Sequence, residues 1–259
     1  MKKFKSALVG AAAIATLMAA GAASAETVKV GVAAEPYPPF TVPDASGNWS
    51  GWEIDFMNAV CDQAKLDCVI TPISWDGIIP ALTAGKIDAI MSSMSITPDR
   101  EKEIAFTNKY YSTPGAIVAA KGSDIKPTAE SLSGKILGVQ VSTTNQDYAA
   151  KHFPDAKLKT YQTQDEVNQD LYAGRIDAEI ADVVTLQPFL ESDDGKACCE
   201  MVGNVAEDVD IYGPGIGIGL RKDDTQLKDT FNAAIAAVRE NGTYEEITKK
   251  YFDFDIYGD

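Results

Sequence analysis

Two segments far apart in the chain carry the same short motif. Leu82-Thr-Ala-Gly-Lys-Ile-Asp-Ala89 and Leu171-Tyr-Ala-Gly-Arg-Ile-Asp-Ala178 share Leu-x-Ala-Gly-(Lys or Arg)-Ile-Asp-Ala. Each reads as a helix end, a glycine stop and a strand, because glycine just past a helix takes the left-handed backbone that closes it. A weaker echo pairs Lys29-Val-Gly-Val32 with Lys135-Ile-Leu-Gly-Val139, and both would open a sheet. Strands alternating with helices make layered α/β structure, and saying it twice makes two lobes of similar topology.

The remaining periodicities agree. Val28 to Val32 reads as the first strand, and Ile54, Phe56, Met57, Val60, Cys61 and Ala64 recur at helical spacing over 53–64. Asp76 is expected to cap the next helix, which carries Ile78, Ile79 and Leu82 and stops at Gly85. Leu227, Phe231, Ile235 and Val238 mark a late helix closed by Gly242, and Thr243 is expected to cap a last one through Ile247 to Tyr251. With 259 residues, 45% of them hydrophobic, there is enough apolar material for a sizeable core.

Residues 1–25 read as a secretory signal: Lys2, Lys3 and Lys5, an apolar run from Ala7 to Ala20, then Ala23-Ser24-Ala25 before Glu26. The apolar run is shorter than the ~20 residues a spanning helix needs. Export to the periplasm is therefore expected. The chain has a formal charge of -15, and loss of the three leader lysines leaves 20 basic against 38 acidic side chains, or -18. So acidic a surface repels phosphate backbones and anionic lipid, which excludes nucleic-acid and peripheral-membrane roles. Export also makes the four cysteines disulfide candidates. Cys61, late in a helical pattern, and Cys68, opening the strand from Cys68 to Pro72, suit a helix-to-strand staple, and adjacent Cys198 and Cys199 are then left to each other. No spacing resembles a zinc site, and His152 is the only histidine, so neither metal nor cofactor is expected.

In open α/β sheets ligands bind beyond the carboxyl ends of the strands. Ser92-Ser93-Met94-Ser95-Ile96-Thr97-Pro98-Asp99-Arg100 follows the first echoed strand, and Asp182 follows the second. Thr97 as N-cap with Pro98 behind it would start a helix there, turning backbone N–H groups and Arg100 toward the crevice as a carboxylate receptor. Asp182, with Ser92 and Ser93, offers acceptors for an ammonium. The pair describes a site for an α-amino acid.

Beyond these features the chain resembles the periplasmic solute-binding proteins of amino-acid ABC transporters, most of all the lysine/arginine/ornithine- and histidine-binding branch. The resemblance rests on Tyr37-Pro38-Pro39-Phe40, Gly51-Trp52-Glu53-Ile54-Asp55, Ile87 through Thr97, Arg100, Ile104-Ala105-Phe106, Gly217 to Lys222 and the tail Tyr251 to Asp259. It implies a type II periplasmic-binding fold, two α/β lobes joined by two hinge crossings: lobe one from 26–114 and 213–259, lobe two from 115–212. It implies a Cys61–Cys68 disulfide, in agreement with the spacing. It also implies that Tyr37 and Trp75 sandwich the ligand side chain, Ser92, Ser93 and Ser95 line the rim, Arg100 and Thr144 hold the carboxylate, and Asp182 takes the ammonium. Relatives for basic amino acids often carry an acid three residues before the aromatic; here that position is Ala34, and Glu35 stands one later as the candidate contact to a basic side chain.

The resemblance further implies a monomer that binds a polar, basic L-amino acid, closes on it by hinge motion near Thr113 to Ala116 and Asp210 to Gly215, and delivers it to an ABC-type permease. No catalysis is expected. The alternative is an exported cyclohexadienyl-type dehydratase on the same fold, for which Glu35 or Glu53 would supply the general acid. A sensor domain feeding a membrane kinase would also use this fold, but no downstream signalling segment follows.

Overall fold

In the computed structural model, which describes residues 25–258, the signal sequence expected over 1–25 lies outside the described residues except for Ala25. The chain opens with β1 (Glu26–Ala33), forms a ribbon of β2 (Val42–Pro43) and β3 (Trp49–Ser50), and enters α1 (Trp52–Ala64) before β4 (Leu66–Ile73). A 3₁₀ turn (Trp75–Gly77) leads to α2 (Ile78–Thr83), β5 (Ala89–Ile90), α3 (Pro98–Glu101) and β6 (Ala105–Phe106). The second sheet follows with β7 (Gly115–Ala120), α4 (Ala129–Leu132), β8 (Ile136–Gln140), α5 (Thr144–His152), β9 (Lys157–Tyr161) and α6 (Gln164–Tyr172). It is completed by β10 (Ala178–Asp182), α7 (Val183–Glu191), α8 (Asp193–Cys198), β11 (Cys199–Asn204) and α9 (Val209–Tyr212). The chain then returns to the first sheet as β12 (Gly219–Leu220) and ends in α10 (Thr225–Glu240) and α11 (Thr243–Thr248).

These elements build two α/β lobes. The first sheet has the order β4-β1-β5-β12-β6 and the second β11-β7-β10-β8-β9. In each, the strand in the repeated motif lies parallel to the strand that opens its lobe, β5 to β1 and β10 to β8. Both sheets are mixed, since β12 runs antiparallel to β5 and β6 and β7 antiparallel to β10 and β11, and apolar side chains cover both faces of each. Val28, Val30 and Val32 of β1 point together into the cluster that includes Phe56 and Val60 of α1 and Phe231 and Ile235 of α10. In β7 the alternation is equally clean: Ile117 and Ala119 join the cluster with Leu137 and Tyr148, while Ala116 and Val118 join the one with Val167 and Leu186. The chain passes between the sheets over 107–114 and 205–218, and the two crossings pair through Ile216, whose N–H donates to the Tyr111 carbonyl at 2.8 Å.

The repeated motif performs the same task in both lobes. Gly85 (φ 70°) and Gly174 (φ 67°) take the left-handed backbone expected of a helix stop. The next residues, Lys86 and Arg175, donate back to the carbonyls of Ala81 and Asp170. The motif aspartate then clamps the lobe's first strand: Asp88 N–H donates to the Lys29 carbonyl and its carboxylate accepts from Lys29 N–H. Asp177 does the same with Ile136. Two residues beyond each clamp lies the glycine of the weaker echo. A Cβ at Gly31 would strike Ile87 Cδ1, and one at Gly138 would strike Ile176 Cδ1, so each glycine is the floor on which the motif isoleucine sits. The two echoes are one interlocking device.

Two capping expectations are corrected. Asp76 lies inside the 3₁₀ turn and caps nothing; α2 starts after Gly77 without a side-chain cap. Thr243 is the first residue of α11, and Gly242 (φ 85°) stands before it as the N-cap, because the tight turn out of α10 needs a left-handed residue there. Cys61 is bonded to Cys68 across 6.1 Å of Cα separation, and Cys198 to Cys199. Among the described residues no helix is long and apolar enough to cross a membrane.

Candidate functional site

A cavity lies between the lobes, with about 860 Å³ of empty space counted out to its open mouth. Its walls include the nine residues expected to bind ligand: Glu35, Tyr37 and Trp75 on one side of the first lobe, Ser92, Ser93, Ser95 and Arg100 beyond β5, and Thr144 and Asp182 from the second lobe.

Arg100 is placed by local structure. Thr97 caps α3, its hydroxyl accepting Arg100 N–H at 3.2 Å, with Pro98 in the first turn. The guanidinium donates to the Ser95 carbonyl at 3.0 Å and, across the cleft, to the Ser142 carbonyl at 3.2 Å. It also lies 5.5 Å from the centre of the Trp75 ring, within cation–π range. Burial lowers its pKa to about 10, which leaves it fully charged at neutral pH; Asp147 partly offsets the shift. Facing it is the start of α5, where Thr143 caps the helix and Thr143, Thr144 and Asn145 line the cavity. The first N–H groups of a helix have no intrahelical partner and carry the positive end of its dipole, so this side of the cavity is doubly suited to a carboxylate.

Asp182 ends β10 and caps α7, accepting Val184 N–H at 2.8 Å through one oxygen and the Thr113 hydroxyl through the other. Burial pushes its carboxyl up to about 6. Among the described residues neither Arg100 nor Asp182 belongs to an ion pair. One cavity thus holds an unpaired cation and an unpaired carboxylate contributed by opposite lobes.

The serines are held as much as they hold. Ser92 Oγ accepts Ala33 N–H at 2.9 Å. Ser93 takes a left-handed φ of 53° and is fixed by the buried Glu53, which accepts its N–H at 2.8 Å and its hydroxyl at 3.1 Å. Glu53 also accepts from the Tyr110 hydroxyl, and it does not reach the cavity wall. This removes Glu53 as the general acid of the dehydratase alternative, which would need that carboxylate free and facing the cavity. Glu35 does reach the wall, where it accepts Trp75 N–H at 3.2 Å and anchors the 3₁₀ turn carrying that indole. Burial raises the pKa of the Tyr37 hydroxyl, and the neighbouring Asp182 carboxylate raises it further. His152 stays outside, paired with Asp208 at 2.7 Å.

Other lining residues were missed: Gln140, Asn145, Gln164, Thr113 and Tyr212. Gln140 ends β8 and Asn145 follows it, and both obey the rule that located Arg100. Tyr212 arrives from the second crossing, donating to Asn145 Oδ1 at 2.9 Å, and Gln164 opens α6 with its amide on Glu179 at 3.2 Å; neither has a local signal. Glu179 is fully buried, one of its oxygens has no partner among the described residues, and its pKa is pushed up to about 8.

Residues 28–254 match the model of the bacterial extracellular solute-binding proteins, family 3. The chain belongs to that family. An L-arginine-binding protein of Pseudomonas aeruginosa is 42% identical over 261 aligned residues, covering 100% of this chain and 99% of the relative. The lysine/arginine/ornithine-binding periplasmic protein of Escherichia coli is 41% identical over 262, covering 100% of both. Among solved structures, an ancestral arginine-binding protein bound to arginine superposes with a TM-score of 0.80 at 32% identity, covering 88% of this chain and 99% of that one. The architecture of this family 3 member is accordingly the type II periplasmic-binding fold, and its relatives are binding proteins.

Proposed function

We propose that the protein captures a basic L-amino acid in the periplasm and delivers it to an ABC-type permease. The observation that carries this reading is the pair of unpaired, opposite charges in one interlobe cavity. A zwitterion satisfies both at once: its carboxylate meets Arg100, Thr144 and the start of α5, and its ammonium meets Asp182 through charge-assisted hydrogen bonds. The side chain then runs between Tyr37 and Trp75, whose ring faces attract a cation, toward the free oxygen of Glu35. The amino acids for which the relatives are named, arginine, lysine and ornithine, have this shape and charge.

Because the two half-sites belong to different lobes, ligand shifts the equilibrium toward a closed form by rotation about the crossings 107–114 and 205–218. Nothing in this account requires a bond to be made or broken, and the protein acts as a carrier. Thermal denaturation against the common amino acids plus ornithine and citrulline tests it, since bound ligand stabilises by RT ln(1 + [L]/Kd). Arginine, lysine, ornithine or histidine is expected to raise the melting temperature most, glutamine less, and glutamate, aspartate and leucine least. A shift led by an acidic or aliphatic amino acid overturns the ligand class, and turnover of a prephenate-like acid overturns the carrier reading.

A further inference from the structure

At the rim of the cleft, one oxygen of the second lobe ties down two residues of the first. The Ser142 carbonyl accepts from Trp75 Nε1 at 3.2 Å and from Arg100 at 3.2 Å. Ser142 has a φ of 60°, a left-handed backbone that a residue with a Cβ adopts only where its surroundings impose it. What imposes it is the first turn of α5: Gln146 Oε1 accepts Ser142 N–H at 2.7 Å, while the Thr143 hydroxyl donates to the Gln140 carbonyl at 2.8 Å and accepts Gln146 N–H at 3.1 Å. Gln146 itself is not part of the cavity wall.

An arginine side chain has five N–H donors. In Arg100 one bond goes to its own lobe at Ser95 and one to the opposite lobe at Ser142, and donors remain for a carboxylate. The same residue can therefore hold ligand and lobe closure together. The aim of the Ser142 carbonyl decides whether the second of these bonds forms, and Gln146 sets that aim from behind.

We propose that Gln146 is a positioning residue for ligand retention, orienting the Ser142 carbonyl so that Arg100 and Trp75 are latched across the closed cleft. The proposal rests on the reading of Arg100 and Trp75 as ligand residues. Since the latch forms only when the lobes meet, its loss acts on release rather than on encounter. Ser142 is exposed, so the effect is that of partly hydrated hydrogen bonds, about five- to tenfold in rate.

The test is a dilution chase of radiolabelled L-arginine from the full-length mature protein, with association measured separately. Gln146→Ala is expected to release arginine about five- to tenfold faster while association changes less than about twofold. Gln146→Glu keeps an acceptor oxygen for Ser142 N–H and is expected to release at nearly the wild-type rate. In a Trp75→Phe background, which lacks the indole donor, the Gln146→Ala effect is expected to shrink, because the two share one carbonyl. Wild-type release from Gln146→Ala, no rescue by Glu, or an undiminished effect in the Trp75→Phe background overturns the latch. If instead Arg100→Ala retains arginine like wild type, the site reading fails and the latch with it.

Discussion

At Asp182 the cleft imposes a charge state that ligand should change. Its carboxyl titrates near 6 because burial outweighs the hydrogen bonds from Thr113 and Val184, and a ligand ammonium would pull that value back down. Binding then favours the ionised form. Affinity for a basic amino acid should be flat above pH 7 and fall by about tenfold between pH 7 and pH 5, with close to one proton released on binding at pH 5. Without ligand the sign is reversed: a folded pKa above the ordinary 3.8 gives stability that is present below pH 4 and lost as pH rises through about 6. Calorimetry in buffers of different ionisation enthalpy measures the released protons, and an affinity independent of pH from 5 to 8 would remove Asp182 from the ammonium site. Arg100 and Asp182 were legible in the sequence because each follows the end of a repeated strand. Glu53 was misplaced because its one-residue neighbourhood, an acid opening a helix, looks the same whether the carboxylate faces the cleft or turns in to hold Ser93. Ser142 had no signal at all, since its backbone conformation depends on Gln146.

The glycines inside β1 and β8 and the motif isoleucines show how the repeated elements hold each lobe. A Cβ at Gly138 would lie 2.5 Å from Ile176 Cδ1 and 2.8 Å from Val167 Cγ1. Gly138→Ala should therefore overpack the second lobe and cost about 1 to 3 kcal/mol in urea denaturation, and adding Ile176→Val, which removes that Cδ1 but leaves Val167 Cγ1 in place, should recover part of it. A double variant no more stable than the single one would mean that the glycine serves the backbone and not the isoleucine. Helices and strands read well from periodicity here because each buries one regular face, as the valines of β1 do. Caps read less well. Asp76 and Thr243 are good capping residues by type, but the 3₁₀ turn before α2 and the left-handed Gly242 before α11 are set by how those helices meet their neighbours. Thr97, whose downstream proline fixes the first turn, left no such freedom.

Over the whole molecule, two similar lobes facing each other turn a pair of ordinary strand-end sites into one enclosed site. The duplication was visible in the repeated motif, and the acidic surface, which draws cationic solutes toward the protein, in the formal charge of -15. Gln164 and Tyr212 were not legible, because they reach the cavity only through the way the lobes and crossings are folded together. In the reading proposed above, one cavity recognises the carboxylate and the ammonium of a basic amino acid from opposite lobes. Calorimetric titration with L-arginine and with agmatine, the same molecule without its α-carboxylate, tests that claim without altering the protein. L-arginine should bind one to one, and agmatine at least about a hundredfold more weakly, since the buried guanidinium of Arg100 and the start of α5 would lose their partner. Agmatine binding as tightly as L-arginine would contradict the account.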